Sequence, residues 1–202
     1  MHSTAPDAEP TTDFEDSPTY TFKPSLMGAG QAFRLTADAL EWQVGRHSGR
    51  IPYREISRVR LSFRPVTMAP RRFLAEIWSK NSPKMQIAST SWRSMVEVSR
   101  QDAQYAIFID ALHHRLHGAG SEAAFETGKP PWLYWPGVVI FAGLTLALAF
   151  LVVRALQADA KIAAALVVGF LAFSLWQIGD FFRRNRPGTY SAGAVPPQVL
   201  PR

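Results

Sequence analysis

Cysteine is absent from the 202 residues. Its absence excludes disulfides, thiolate nucleophiles, Cys-ligated zinc and iron–sulfur clusters. Acidic residues are sparse, 16 against 22 Lys and Arg, and no pair of carboxylates stands out for general acid–base work. No GxxxxGK[ST], GxGxxG or GxSxG run occurs, so the chain offers no phosphate-cradling loop and no nucleophile elbow. Ser, His and Asp are present, but no spacing singles out a triad. Nothing therefore argues for an enzyme or a cofactor, and no catalytic residue is nominated. The first 30 residues hold neither an apolar run nor a cluster of positive charge, so no N-terminal signal peptide is expected.

What is present is unevenly spread. Residues 1–30 carry one Lys against five acids, residues 31–117 carry 14 basic against seven acidic residues, and residues 118–202 carry seven against four. An acidic leader thus precedes a basic domain and a basic C-terminal third. A basic domain suits anionic lipid headgroups or an acidic protein segment. Residues 1–28 are rich in Pro, Thr, Asp and Glu without periodicity and read as a disordered tail.

From Gln31 the pattern alternates with period two, the mark of half-buried strands. Phe33 to Leu35 and Leu40 to Val44 read as strands around a turn at Thr36 to Asp38, with a second turn at Gly45 to Gly49. Arg50 to Tyr53 reads as a short strand that must lie at an edge or end at Pro52, which has no amide to donate. Along Ile56 to Phe63, Val59, Leu61 and Phe63 point one way and Arg58, Arg60 and Arg64 the other. Residues 64–71 read as a loop with two prolines, followed by strands at 73–78, 85–87 and 95–98. The period then becomes 3.6. Ser99 reads as a helix cap, and Tyr105, Phe108, Ile109, Leu112 and Leu116 share one face that must pack on the sheet, until Gly118 and Gly120 stop the helix.

The segments FRLTADALEWQVG and RIPYREISRVRLSF, followed by a helix at 100–117, resemble small bacterial membrane proteins with a pleckstrin-homology-like (PH-like) domain, over about half of the chain. The resemblance implies an α+β fold, an antiparallel sheet or partial barrel closed by a C-terminal helix, here at 29–118. The first hairpin lacks the Lys-x-Lys/Arg run of phosphoinositide-binding PH domains, so the likeness extends to the fold and not to that activity.

After a linker at 119–130 come two long apolar runs. Leu133 to Val153 and Ile162 to Gly179 contain no charged residue. A membrane-crossing helix needs about 20 apolar residues, and neither run has the polar stripe of a surface helix. The pattern predicts a transmembrane hairpin over 131–183, with spans near 132–154 and 161–182. Its tip is RALQADAK, too short for anything but antiparallel neighbours. Trp132, Tyr134, Trp135, Trp176, Arg183, Arg184 and Arg186 fall where interface anchors belong, and Pro130, Pro131 and Pro136 mark the start of the first helix. Gly143 with Ala147 and Ala165 with Gly169 are small-residue pairs suited to close helix approach. Asp180 stands four residues before Arg184 and is expected to pair with it. Lys129, Arg183, Arg184 and Arg186 outnumber Arg154 and Lys161 of the tip, which places both termini in the cytoplasm and the protein in the cell (inner) membrane. The remainder, 184–202, reads as a basic then flexible tail.

Two polar clusters remain. His113 and His117 have the i, i+4 spacing of a metal pair, but His114 stands where the zincin motif needs Glu and no further ligand completes a site. The reading is no metal, with the three histidines at the negative end of their helix. The second cluster is Arg54, Arg58, Arg60, Arg64, Arg71, Arg72, Lys80 and Lys84, a candidate surface for lipid or a partner or else a solvated sheet face, with Trp78 and Trp92 nearby. Together these features predict a non-enzymatic membrane protein whose cytosolic PH-like module engages a protein partner, anionic lipid or both. The alternative is an accessory subunit of a transport or envelope-assembly complex. Expected partners are membrane lipids and a protein or a second copy, with no nucleic acid and no small-molecule substrate.

Overall fold

The computed structural model describes residues 17–66, 69–94 and 97–201. Side-chain alternation builds a first sheet as an antiparallel meander of β1 (Thr19–Phe22), β2 (Gln31–Leu35), β3 (Ala39–Val44) and β4 (His47–Pro52). Pro52 ends an edge strand, as its missing amide requires. The β2–β3 turn is tied by the Thr36 hydroxyl, which accepts from the Ala39 amide at 3.2 Å. A 3-10 turn, Tyr53–Glu55, leads into β5 (Ile56–Val66), which pairs with β6 (Ala69–Ser79), and β6 in turn pairs with β7 (Met85–Ala88). A short antiparallel pair follows, β8 (Thr90–Trp92) and β9 (Val98–Arg100). The helix α1 (Asp102–Gly118) then lays its apolar stripe on the sheets, with Tyr105, Phe108, Ile109, Leu112 and Leu116 all buried. One buried cluster joins that stripe to Phe33, Leu35, Leu40 and Ile51 of the first sheet and to Val59, Leu61, Ile77 and Ile87 of the second. Each such side chain contributes about 1.5–3 kcal/mol by leaving water.

β10 (Ala124–Thr127) then adds to β5 in parallel. Two long helices follow as antiparallel neighbours, α2 (Pro131–Gln157) and α3 (Lys161–Arg184). At about 1.5 Å per residue they run for roughly 40 Å and 36 Å. Both are long and apolar enough to cross a membrane. Their turn is tight, with Asp159 in the left-handed region at φ 56°. After α3 the chain returns to the sheet as β11 (Gly188–Thr189), giving the order β11-β10-β5-β6-β7, and ends on a 3-10 turn, Pro197–Val199.

The structure corrects several expectations. The leader read as a disordered tail over 1–28 contributes β1, which buries Tyr20 and Phe22; the Tyr20 hydroxyl donates to the Ala88 carbonyl at 2.7 Å. The portion before residue 17 lies outside the described residues. The loop over 64–71 is largely strand, because β5 continues to Val66 and β6 begins at Ala69. The strand expected over 95–98 begins at Val98; residues 95 and 96 lie outside the described residues. Ser99 does not cap α1. It belongs to β9, its hydroxyl donates to the Ser91 carbonyl at 3.2 Å, and Gln101 holds the cap position without a side-chain bond. The linker and the tail are structured as β10 and β11, and Val199 of the tail is buried in the domain core. Close helix approach occurs at Gly137, whose Cβ would stand 3.4 Å from the Phe182 ring. At Gly143 and Gly169 a Cβ would meet nothing within 4 Å.

The hairpin is clamped to the domain at its foot. Asn185 is fully buried: its Oδ1 accepts from the Phe63 amide at 3.2 Å, its Nδ2 donates to the Phe181 carbonyl at 3.1 Å, and its own carbonyl accepts from the Lys129 amide at 3.0 Å. Gly128, at φ +71°, passes so close that a Cβ there would collide with the Asn185 carbonyl.

Candidate functional site

Strand register decides which of the candidate cations meet. Arg58 lies opposite Trp78, Arg60 opposite Glu76 and Arg64 opposite Arg72, while Glu76 lies opposite Gln86 of β7. On the other flank Arg60 lies beside Glu126 of β10. These positions share one outer face of the second sheet.

Two carboxylates hold the face together. Glu76 is buried and accepts from Nζ of Lys84 at 2.6 Å, from Nε2 of Gln86 at 3.2 Å and from Arg64 at 3.5 Å. Glu126 pairs with Arg60 through two guanidinium nitrogens and with Arg58 at 3.5 Å. Trp78 forms the aromatic floor, with Lys84, Arg60 and Arg58 at 4.7, 5.2 and 5.6 Å from its ring centroid. Positive charge above an aromatic face is attracted by the ring quadrupole.

Lys129 joins the cluster from the β10–α2 junction. Burial, and next the neighbouring Arg64, push its ammonium below the ordinary lysine range. It has no ion pair of its own among the described residues. Arg72 is likewise pushed down by burial and by Arg64. The Nε groups of Arg64 and Arg72 are buried without an acceptor among the described residues. The face therefore gathers Arg58, Arg60, Arg64, Arg72, Lys84 and Lys129 around two carboxylates, an excess of positive charge beside the foot of the hairpin. Such an arrangement attracts anions and supplies guanidinium forks for phosphate or carboxylate oxygens.

The other candidate positions fall elsewhere. Arg54 sits in the 3-10 turn and donates to the Ala119 carbonyl at 3.2 Å, beyond the end of α1. Lys80 is exposed in the β6–β7 turn. The side chain of Arg71 lies outside the described residues. Trp92 is half-buried in β8 and takes no part in the face. Glu76, Glu126 and Lys129 were missed from sequence. Alternation already set Glu76 on the face of Leu74 and Trp78, but only the register brings it between Arg60 and Gln86. Glu126 and Lys129 fall in the expected linker and membrane flank, because a four-residue parallel strand carries no turn signal of its own.

The histidines do not gather at the end of α1. His113 points into the domain, where its Nδ1–H donates to the Ile109 carbonyl at 2.6 Å and its Nε2 accepts from the Tyr190 hydroxyl at 2.8 Å. A carbonyl can only accept, which fixes the tautomer. His114 and His117 are exposed. Of the expected interface anchors, Trp132, Trp135 and Trp176 are 76%, 60% and 75% exposed on the hairpin. Tyr134 packs edge-on against Phe182 and is half-buried. Asp180 pairs with Arg184 at 2.8 Å, as the spacing predicts, and with Arg183 at 2.7 Å; Arg186 is exposed beyond the end of α3.

In comparisons with known proteins, no family model, no curated protein and no solved structure matches this chain.

Proposed function

We propose that this chain is a non-enzymatic integral membrane protein that holds a PH-like interaction domain against an anionic lipid surface. The observation that carries this reading is the hairpin. The most apolar 18-residue window of α2 has 0% of its residues buried, and that of α3 has 6%. Soluble monomers rarely expose contiguous apolar area on this scale, whereas lipid solvates it and helices satisfy their own backbone. The Lys/Arg bias supports two spans in the cell membrane with the domain on the cytoplasmic side. The PH-like assignment rests on the order of elements read in the sequence.

The basic face supports anionic lipid as the ligand. It adjoins the hairpin through Lys129, and two of its guanidinium N–H groups lack acceptors among the described residues. A basic side chain near an anionic leaflet contributes about 1 kcal/mol, screened by salt. Tethering removes the need for a strong contact, because the domain never leaves the surface. The accessory-subunit reading draws on one observation: Gly143 and Gly169 face open space rather than each other's helix, which leaves small-residue surface for another helix.

The absence of cysteine makes single-site labelling free of background. A nitroxide on Gln86→Cys, in full-length protein in nanodiscs, is expected to show shielding by the lipid surface when anionic lipid is present. That shielding should be lost as salt rises. Equal accessibility in anionic and zwitterionic nanodiscs at low salt would reduce the basic face to a solvated surface.

A further inference from the structure

A second basic surface lies on the other side of the hairpin's foot, and it is a cleft rather than a face. One cleft of about 870 Å³ runs between Phe63 of β5 and the last two turns of α3, walled by Trp176, Asp180, Phe181, Arg183 and Arg184. A second, of about 390 Å³, lies beyond the same two arginines and is lined by Phe73, Arg100 and Leu200. Phe63 and Phe73 are a cross-strand pair with ring centroids 5.4 Å apart, so the two clefts share a wall of aromatic rings and guanidinium groups.

The polarity of this groove changes along α3. Toward the hairpin the wall is Trp176 and Ile178 with the uncharged Gln177 between them; toward the domain it carries the charged Asp180, Arg183 and Arg184 around Phe181. Seven residues separate Trp176 from Arg183, about 10 Å along a helix. That is the order of chemistry along a phospholipid from its acyl chains to its phosphate. Arg184 is pre-oriented, held by Asp180 at 2.8 Å and stacked over the Phe63 ring at 5.2 Å. Arg183 shares the same carboxylate and keeps a side chain 77% exposed, so it is able to turn toward an anion. Arg100, paired with Asp102, adds a third guanidinium from the far side. A soluble anion would leave the apolar part of the cleft unfilled, and a purely apolar ligand would lie against an excess of positive charge, three guanidinium groups to the two carboxylates of Asp180 and Asp102.

We infer that this groove binds one molecule of anionic phospholipid, its phosphate on Arg183 and Arg184 and its upper acyl region along Trp176 and Phe181. The inference rests on the reading of α2 and α3 as a membrane hairpin, and it concerns a site separate from the basic sheet face. Gly179 supplies a clean probe. It lines the cleft, and a Cβ there would meet nothing within 4 Å, so a large side chain enters the empty space without removing a charge or straining the helix.

The experiment is native mass spectrometry of full-length protein in mild detergent, titrated with phosphatidylglycerol or phosphatidylcholine. One phosphatidylglycerol adduct is expected to survive activation that strips phosphatidylcholine. Arg183→Gln should weaken it about tenfold, the loss of one charge-assisted contact. Gly179→Phe should abolish it at an unchanged thermal midpoint, and Lys84→Gln on the sheet face should leave it intact. Equal retention of both lipids would overturn the proposal, as would an adduct lost in Lys84→Gln but kept in Gly179→Phe. Carbonate extraction of cell membranes separates the two levels. Protein released without detergent overturns the hairpin reading and this inference with it. Protein that stays in the membrane yet retains no lipid overturns the groove alone.

Discussion

His113 shows how one side chain ties the C-terminal segment to the domain and makes the tie sensitive to acid. Its ring packs with Phe125 and Tyr190 at centroid distances of 5.4 and 5.6 Å, and both nitrogens are engaged. Burial pushes its pKa below the ordinary 6.5, since the charged imidazolium is poorly solvated there. The unfolded chain therefore takes up the proton first as pH falls. Stability from this group is complete above about 6.5 and is lost as pH drops through that value toward the depressed folded pKa. The thermal midpoint of the full-length protein should fall between about pH 7.5 and 5.5, and His113→Phe should flatten that dependence. An equally steep profile in the variant would assign the effect to other groups. None of this was visible in the sequence, where His113 looked like one of three histidines at a helix end; its partner stands 77 residues away in a segment expected to be flexible.

At the scale of elements, pattern and pairing differ in how far sequence reveals them. The stripe of α1 was legible because 3.6 periodicity over 17 residues leaves little choice of buried face. The alternation of β2, β3 and β5 was equally plain, and the basic face followed from it. β1, β10 and β11 were not legible. They have four, four and two residues, too few for a period; β10 and β11 are strands only because a distant neighbour supplies their hydrogen bonds, while β1 pairs with the strand that follows it. The same non-local logic governs the foot of the hairpin. Gly128 and Gly120 both adopt positive φ, +71° and +63°, but only Gly128 faces the backbone of Asn185; Gly120 faces open space. Gly120→Ala should cost about 1–2 kcal/mol, the price of the left-handed conformation. Gly128→Ala should cost clearly more, because β10, α2 and the end of α3 must separate to admit the methyl group. Chemical denaturation of the two variants side by side measures the difference, and equal losses would mean that the clamp at Asn185 yields easily.

For the molecule as a whole, the hairpin is an insertion within one domain rather than an appendage after it. The sheet draws β5 and β10 from before the helices and β11 from after them, and the core receives Val199 from near the end of the chain. The two halves of the domain must therefore share one side of any bilayer, independently of charge counting. Truncation after Asn185 leaves the hairpin and its clamp in place but removes β11, the Tyr190 hydroxyl and Val199. It should lower the thermal midpoint and make residues 17–128 protease-sensitive, with loss of roughly 1.5–3 kcal/mol from Val199 alone. A truncated chain as resistant as the full one would show that the C-terminal segment only rests on the surface.

The placement of Val199 also orders events during synthesis. A ribosome releases β1 to β10 before either long helix, and the residues that complete the sheet only after both. The domain thus stays an unfinished fold, with an open sheet edge at β10 and an unfilled place in its core, until the hairpin has been made. Closure of the domain becomes a report that both long helices have been made. A chain cut short anywhere before Val199 would leave that place in the core open, however complete its helices.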